Sequence, residues 1–347
     1  MTRVWDVPVH DSTQAHDVRV AVEAACDHVG LGADRTADAD LAATELATNL
    51  LRHAGGGRIL IDTADDGRPV VQMLAVDHGP GIRDVAAALR DGYSTTTSLG
   101  AGLGACRRIA DTFDLHTAPG RGTVVLVRMA DRRTTRRAEA APAVRPVRVG
   151  GVHVPLVGET CGDAWACVPG RDRLTLVLAD GLGHGPEGAR ASAAAVDELR
   201  RVPDLPPVEM LRRLDDALRG TRGAAVALAQ LAQHTGHMLF AGVGNVGARL
   251  RTERGWQPLL SRPGIVGAYR PAVVPERQLP WKDGGLLILH SDGLPSRWAP
   301  PEDSYLDHRD PAVIAAVVLR DASSSARPAR DDTTVAVMAS TPRDRPL

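Results

Sequence analysis

The stretch Leu176–Ala189, LVLADGLGHGPEGA, drives an apolar run into one carboxylate, Asp180, and then into four glycines with His184 among them. A glycine-rich turn after a strand suits a phosphate cradle, a metal site or a plain tight turn. The turn alone leaves all three open. Further along, acidic residues recur where strand-like runs begin or end: Asp163 in ETCGDAWACV, Asp292 in LILHSDGLPS, and Asp331 with Asp332 in ARDDTTVAVM. Asp-Gly is most often a turn signal. Four ordered instances, each beside an apolar strand, exceed what turns alone explain, and carboxylates gathered at strand ends suit hard divalent cations.

The chain has 347 residues, 44% of them hydrophobic, which is ample for one or two buried cores. With 41 basic and 42 acidic residues the formal net charge is -1, so no global field draws it to nucleic acid or to an anionic membrane. An aromatic content of 3% offers no stacking platform for single strands. Cys26, Cys106, Cys161 and Cys167 form neither a CxxC pair nor a zinc-type cluster, and read as reduced, mostly buried thiols. No window approaches the roughly 20 apolar residues of a membrane span, and a cytoplasmic protein is expected. Lys282 is the sole lysine, so the GK[ST] ending of a P-loop is absent.

Residues 130–150, ADRRTTRRAEAAPAVRPVRVG, are rich in Arg, Ala and Pro without apolar periodicity and read as a linker. Before it, helical spacing over 13–29 and 36–54 is followed by strand-like RILIDTA and PVVQMLAVDHG. Helices over 85–90 and 103–113 and a strand pair at DLHTAPGRGTVVLVRM complete that half. After it, many short strands alternate with helices over 186–201, 207–219 and 311–322. The expected class is α+β, with domains at 1–130 and 150–342 and a linker at 131–149.

Ahead of the linker, Glu45 and Asn49 lie four apart in AATELATNLLRHAGG and share a helical face. Such a pair aligns a hydroxyl and holds a hydrated magnesium ion, or is an ordinary polar face. AVDHGPGI places Asp77 at a strand end, followed by Gly79 and Gly81. SLGAGLGACRRIADTF brings Gly100, Gly102 and Gly104 into a helix start, where free N–H groups suit phosphates.

In this order, with the terminal GRGT, the boxes resemble the GHKL ATPase family, in particular its serine-kinase and anti-sigma-factor branch, over roughly residues 11–129. The resemblance implies an α/β sandwich that binds ATP with Mg²⁺. Asn49 would coordinate the ion, Asp77 would contact adenine, Gly79, Gly81, Gly100, Gly102 and Gly104 would shape the pocket and lid, and Thr123 would lie near the base. Glu45 would be the general base that activates a substrate serine. The lid, residues 91–100, is short, and a conventional histidine kinase, with a dimerising phosphoacceptor-histidine helix ahead of the domain, is not expected.

The second half, over roughly residues 150–340, resembles PP2C-type metal-dependent phosphatases of the SpoIIE-like branch, through GD, DGLGHG, SDG and DDTT. That implies a β-sandwich flanked by helices, holding two Mn²⁺ or Mg²⁺ ions. Asp163, Asp180, Asp292 and Asp331 would be carboxylate ligands and Gly181 a carbonyl ligand; Asp332 could exchange roles with Asp331. His184 is a candidate general acid, with a helix-start role equally open. Cys161 stands where the branch commonly has serine. Together the halves imply a bifunctional partner-switching regulator. It would act as serine kinase of a STAS-domain antagonist or stressosome-type phosphoprotein and as a phosphatase of that pathway. The alternative is a phosphatase whose first domain senses ATP or binds a sigma factor without transferring phosphate.

Overall fold

The computed structural model describes residues 3–65, 68–90, 102–132, 147–158, 160–183, 185–302, 304–322 and 331–341. Gly100, His184 and the expected lid at 91–100 lie outside the described residues. Two compact units follow one another, one spanning Arg3–Glu139 and the other the chain from Ala140 onward.

The first unit is a five-stranded sheet of order β1-β2-β3-β5-β4, antiparallel throughout. Its strands are β1 (Trp5–Val9), β2 (Gly57–Asp65), β3 (Pro69–Val76), β4 (Thr112–Ala118) and β5 (Gly122–Ala130). Its helices are α1 (Gln14–Val29), α2 (Ala33–Asn49), the short α3 (Val85–Ala88) and α4 (Gly102–Ile109). Alternate residues Ile59, Ile61, Val71, Met73, Val125, Val127 and Met129 form one apolar sheet face. Val18, Ala21, Val22, Ala25 and Cys26 of α1 and Ala39, Ala42, Ala43, Leu46 and Ala47 of α2 pack into the same core.

Three features differ from the sequence expectation. β1 was not foreseen in MTRVWDVPVHDS; it is an edge strand, the one place in a sheet where Pro8 removes no needed ladder bond. The helix expected over 36–54 starts at Ala33 and widens after Asn49 into a π-helical turn, Leu50–Ala54. The helix expected over 103–113 stops at Ile109, because the chain joins the sheet where Asp111 N–H donates to Arg128 O at 3.0 Å.

Asp111 is also one anchor of Arg35, a nearly buried guanidinium that pairs with it and with Asp38 at 2.7 Å. Arg35 further donates to Ile109 O at 2.9 Å and Ala130 O at 3.1 Å, tying α2 to the end of α4 and to β5. Asp111 also pairs with Arg68 at 2.7 Å, so loss of Arg35 removes charge-assisted hydrogen bonds without stranding that carboxylate, at a cost of about 1.5–3 kcal/mol. Arg35→Ala should therefore lower the stability of this unit by about that amount in urea unfolding, beyond the effect of Arg19→Ala, whose ion pair with Asp40 is more exposed.

The second unit stacks two five-stranded antiparallel sheets, β13-β10-β9-β8-β7 and β12-β11-β14-β15-β6. The first holds β7 (Asp163–Pro169), β8 (Arg173–Gly181), β9 (Ala224–Ala232), β10 (His237–Val243) and β13 (Arg277–Pro280). The second holds β6 (Val147–Val154), β11 (Gly247–Thr252), β12 (Gly255–Leu260), β14 (Leu286–His290) and β15 (Thr333–Ser340). β6 thus begins three residues before the expected domain start at 150.

The apolar run that opens Leu176–Ala189 follows from its place in β8, which is covered on both faces. Leu176 and Leu178 enter the inter-sheet core with Phe240, Leu287, Leu289 and Met338. Val177 and Ala179 face the other way, onto α5 (Pro186–Arg201) and α6 (Pro207–Ala217). α7 (Pro311–Ala322) lies against β6 and β15.

On β6, burial pushes His153 down to about 4. Its folded value lies below the ordinary 6.5 of a histidine, so the unfolded chain binds the extra proton and stability falls as pH drops from about 6.5 to 4. The loss is about 3 kcal/mol at full extent. His153→Gln should flatten that acid limb in denaturant unfolding measured between pH 7 and 4.

Candidate functional sites

In the first unit, α2 places Glu45 and Asn49 one turn apart, both half-buried. Glu45 faces α4: its carboxylate adds to the burial that pushes the Cys106 thiol up to about 12. Asn49 Nδ2 is buried without a hydrogen-bond partner, directly before the π-helical turn. The unspent atom is an N–H donor, which suits a phosphate or water oxygen; toward a cation only the Asn49 Oδ1 atom could serve. Gly102 and Gly104 lie in the first turn of α4.

Asp77 follows β3 and is buried. Its Oδ1 accepts from Gly79 N–H at 2.7 Å and Thr123 N–H at 3.2 Å, and its own N–H donates to Thr123 O at 3.0 Å. Thr123 Oγ1 lies 3.1 Å from Thr117 Oγ1, which accepts the Ile82 N–H at 2.8 Å just beyond Gly81. The structure thus joins Gly79 and Thr123 to the Asp77 carboxylate, while Gly81 packs against Thr117 and Ala118. Gly122, within the GRGT box but given no role of its own by the sequence, is required there: it has φ +95, and a Cβ would fall 2.0 Å from Asp77 O. Thr117 likewise carried no motif signal, because it is paired through the sheet to Thr123 rather than through local sequence.

In the second unit, the carboxylates converge from four strand ends. Asp163 at the start of β7 pairs in register with Asp180 near the end of β8. Asp292 follows β14 and Asp331 precedes β15, a neighbouring antiparallel pair. Asp163 is buried, its Oδ2 has no hydrogen-bond partner, and burial reinforced by the Asp180 carboxylate pushes it well above the usual range. Burial, then Asp292, Asp331 and Asp332, push Asp180 up to about 7. Burial also raises Asp292, against the lowering effect of the Asn245 amide that donates to it. Acids that raise one another's proton affinity in this way form a site that favours cations.

Asp332 is held differently from Asp331. It is buried, and its two oxygens accept Leu156 N–H and Gly162 N–H, each at 2.6 Å. Each oxygen holds one backbone N–H and so pins the chain before β7. Asp331 is exposed and uses Oδ1 to accept the Asp332 N–H at 2.9 Å. Ser291 is buried and accepts Thr334 N–H at 2.8 Å; its hydroxyl and that of Thr334 lower the Asp163 carboxyl against the effect of burial. Ser291 stood in the quoted HSDG segment, and Asn245 in a turn without acidic residues; neither offered a signal separable from turn chemistry.

The donor set is all oxygen, which fits Mg²⁺ or Mn²⁺. Among the described residues no three His, Cys, Asp or Glu side chains close on a single point, so backbone carbonyls and waters would complete any coordination. Gly181, the expected carbonyl ligand, follows Asp180 at the end of β8.

Fold and sites together define an ATPase-type α/β unit followed by a phosphatase-type sandwich. Residues 9–129 match the histidine kinase-like ATPase domain, and residues 170–340 match stage II sporulation protein E, SpoIIE. The chain belongs to the histidine kinase-like ATPase family in its first unit and carries a SpoIIE-type PP2C domain in its second. It is similar to the serine/threonine-protein kinase RsbT of Bacillus subtilis, 40% identical over 98 residues, covering 28% of this chain and 74% of RsbT. It is also similar to the phosphoserine phosphatase RsbX of Bacillus subtilis, 26% identical over 136 residues, covering 39% of this chain and 67% of RsbX. A crystal structure of RsbX in complex with magnesium superposes with a TM-score of 0.47 at 22% identity, over 56% of this chain and 96% of that one. Among the described residues no helix is long and apolar enough to cross a membrane.

Proposed function

We propose that the chain is a bifunctional partner-switching regulator, with a serine kinase in residues 1–130 and a metal-dependent phosphoserine/phosphothreonine phosphatase in residues 150–342. The observation that carries the phosphatase half is the Asp163–Asp180 pair across β7 and β8, with a buried, unpartnered Asp163 oxygen between converging carboxylates. Asp163, Asp180, Asp292 and Asp331 are assigned as ligands with the Gly181 carbonyl, and Asp332 as the residue that positions them. When bound, divalent ions supply Lewis acidity and acidify water at neutral pH. The chain's own part is to hold those oxygens apart at fixed strand ends, with Ser291 and Asn245 orienting Asp163 and Asp292.

In the first unit Glu45 takes the proton of a substrate serine, Asn49 holds Mg²⁺, and Asp77 accepts from the adenine amino group. Phosphoryl transfer asks mainly for positioning and charge neutralisation, which this set provides. The similarity to RsbT supports the kinase assignment, and the similarity to RsbX supports the phosphatase. Together they support a STAS-domain protein of a stress-signalling pathway as partner. Incubation with labelled ATP and candidate STAS proteins should give serine phosphorylation. ATP binding without transfer would leave the alternative, a sensor or sigma-factor-binding domain ahead of a phosphatase.

A further inference from the structure

Against the turn that follows Asp180 stands an arginine to which the phosphatase reading gives no role. Arg222 precedes Gly223, whose carbonyl accepts the Leu182 N–H at 2.9 Å, and Ala224 pairs with Gly181 across β8 and β9. This register brings Arg222 alongside the turn that leaves Asp180. Gly183 in that turn has φ +87, and a Cβ there would lie 2.8 Å from Arg222 Nη1. The guanidinium therefore rests against the turn at Gly183.

Arg222 is paired there with Glu187, in the first turn of α5. The two side chains are 58% and 64% exposed, and ion pairs so exposed contribute little to stability. A site lined with carboxylates repels a phosphate dianion, and metal ions are largely balanced by the carboxylates that hold them. A planar guanidinium at the rim supplies the missing charge and can donate two parallel N–H bonds to phosphate oxygens.

We propose that Arg222 binds the phosphoryl group of the substrate, leaving Glu187 for two of its oxygens as the phosphoprotein docks. Glu187 then competes with substrate for the guanidinium and parks it in the resting site. The proposal rests on the phosphatase reading of this unit.

The test is steady-state hydrolysis of a phosphoserine peptide by the full chain with Mn²⁺, with inorganic phosphate as competitive inhibitor and thermal unfolding as control. Arg222→Ala should raise both KM and the phosphate inhibition constant about tenfold or more, without moving the unfolding temperature. Arg222→Lys should recover only part of that loss, because it restores charge without the fork. Glu187→Gln should lower KM. An unchanged KM and inhibition constant in Arg222→Ala, or a fall in kcat and stability alone, overturns the assignment. Hydrolysis indifferent to chelators or to Asp180→Asn would instead overturn the phosphatase reading itself.

Discussion

Asp180→Asn is expected to abolish phosphatase activity while making the metal-free protein more stable at alkaline pH. Loss of a metal's outer hydrogen-bond partners alone costs about 10–100-fold, so loss of a carboxylate ligand should cost at least about 100-fold in kcat/KM. The stability effect follows from Asp180 itself, pushed up to about 7 by burial and by Asp292, Asp331 and Asp332. A carboxyl whose folded value is raised stabilises below its unfolded value, near 3.8, and that contribution is lost as pH rises through about 7. Asparagine does not titrate, so in chelator the variant should melt above wild type at pH 8, with the gain shrinking toward pH 4. Divalent ions should reverse the ranking, because they stabilise the folded wild type by mass action and bind the variant poorly. Thermal unfolding with and without Mn²⁺ at several pH values reads both effects. A variant that hydrolyses a phosphoserine peptide at the wild-type rate would contradict the assignment.

Glu45→Gln is expected to reduce serine phosphorylation by about 10²–10⁴-fold, the usual contribution of a positioned general base. ATP affinity should be retained, because the pocket around Asp77 and Thr123 is built from β3, β5 and their connecting backbone rather than from α2. Single-turnover transfer from labelled ATP, alongside calorimetric ATP binding, separates the two. A loss of binding equal to the loss of transfer would make Glu45 a nucleotide-site residue instead of a base.

How much of this was readable in the sequence depended on whether the signal was local. Helices α5 and α7 were placed at their observed limits, because Pro186 and Pro311 start them and apolar spacing runs unbroken to their ends. The Asp-Gly turns were readable as candidate ligands because each sits where an apolar strand stops. β1 was missed because five residues with a proline make no periodic signal, and only pairing with β2 defines them. The same holds at the sites. Asp331 and Asp332 are neighbours of identical chemistry, and only the bonds from Leu156 and Gly162 distinguish the pinned carboxylate from the available one. Gly122 and Thr117 serve Asp77 across the sheet, and Arg222 meets the Asp180 turn through the pairing of β8 with β9. Each depends on strand register, which a linear motif does not contain.

If both proposed activities operate, one chain adds and removes a serine phosphate in the same pathway. The most direct measurement is the steady-state phosphorylation of one STAS partner incubated with ATP, Mg²⁺ and Mn²⁺ and the wild-type, Glu45→Gln or Asp180→Asn protein. The wild type should hold an intermediate level, Asp180→Asn should drive the partner to full phosphorylation, and Glu45→Gln should leave it unphosphorylated. The same level with all three proteins, or a shift in the same direction with both variants, would contradict two opposed activities at the two sites.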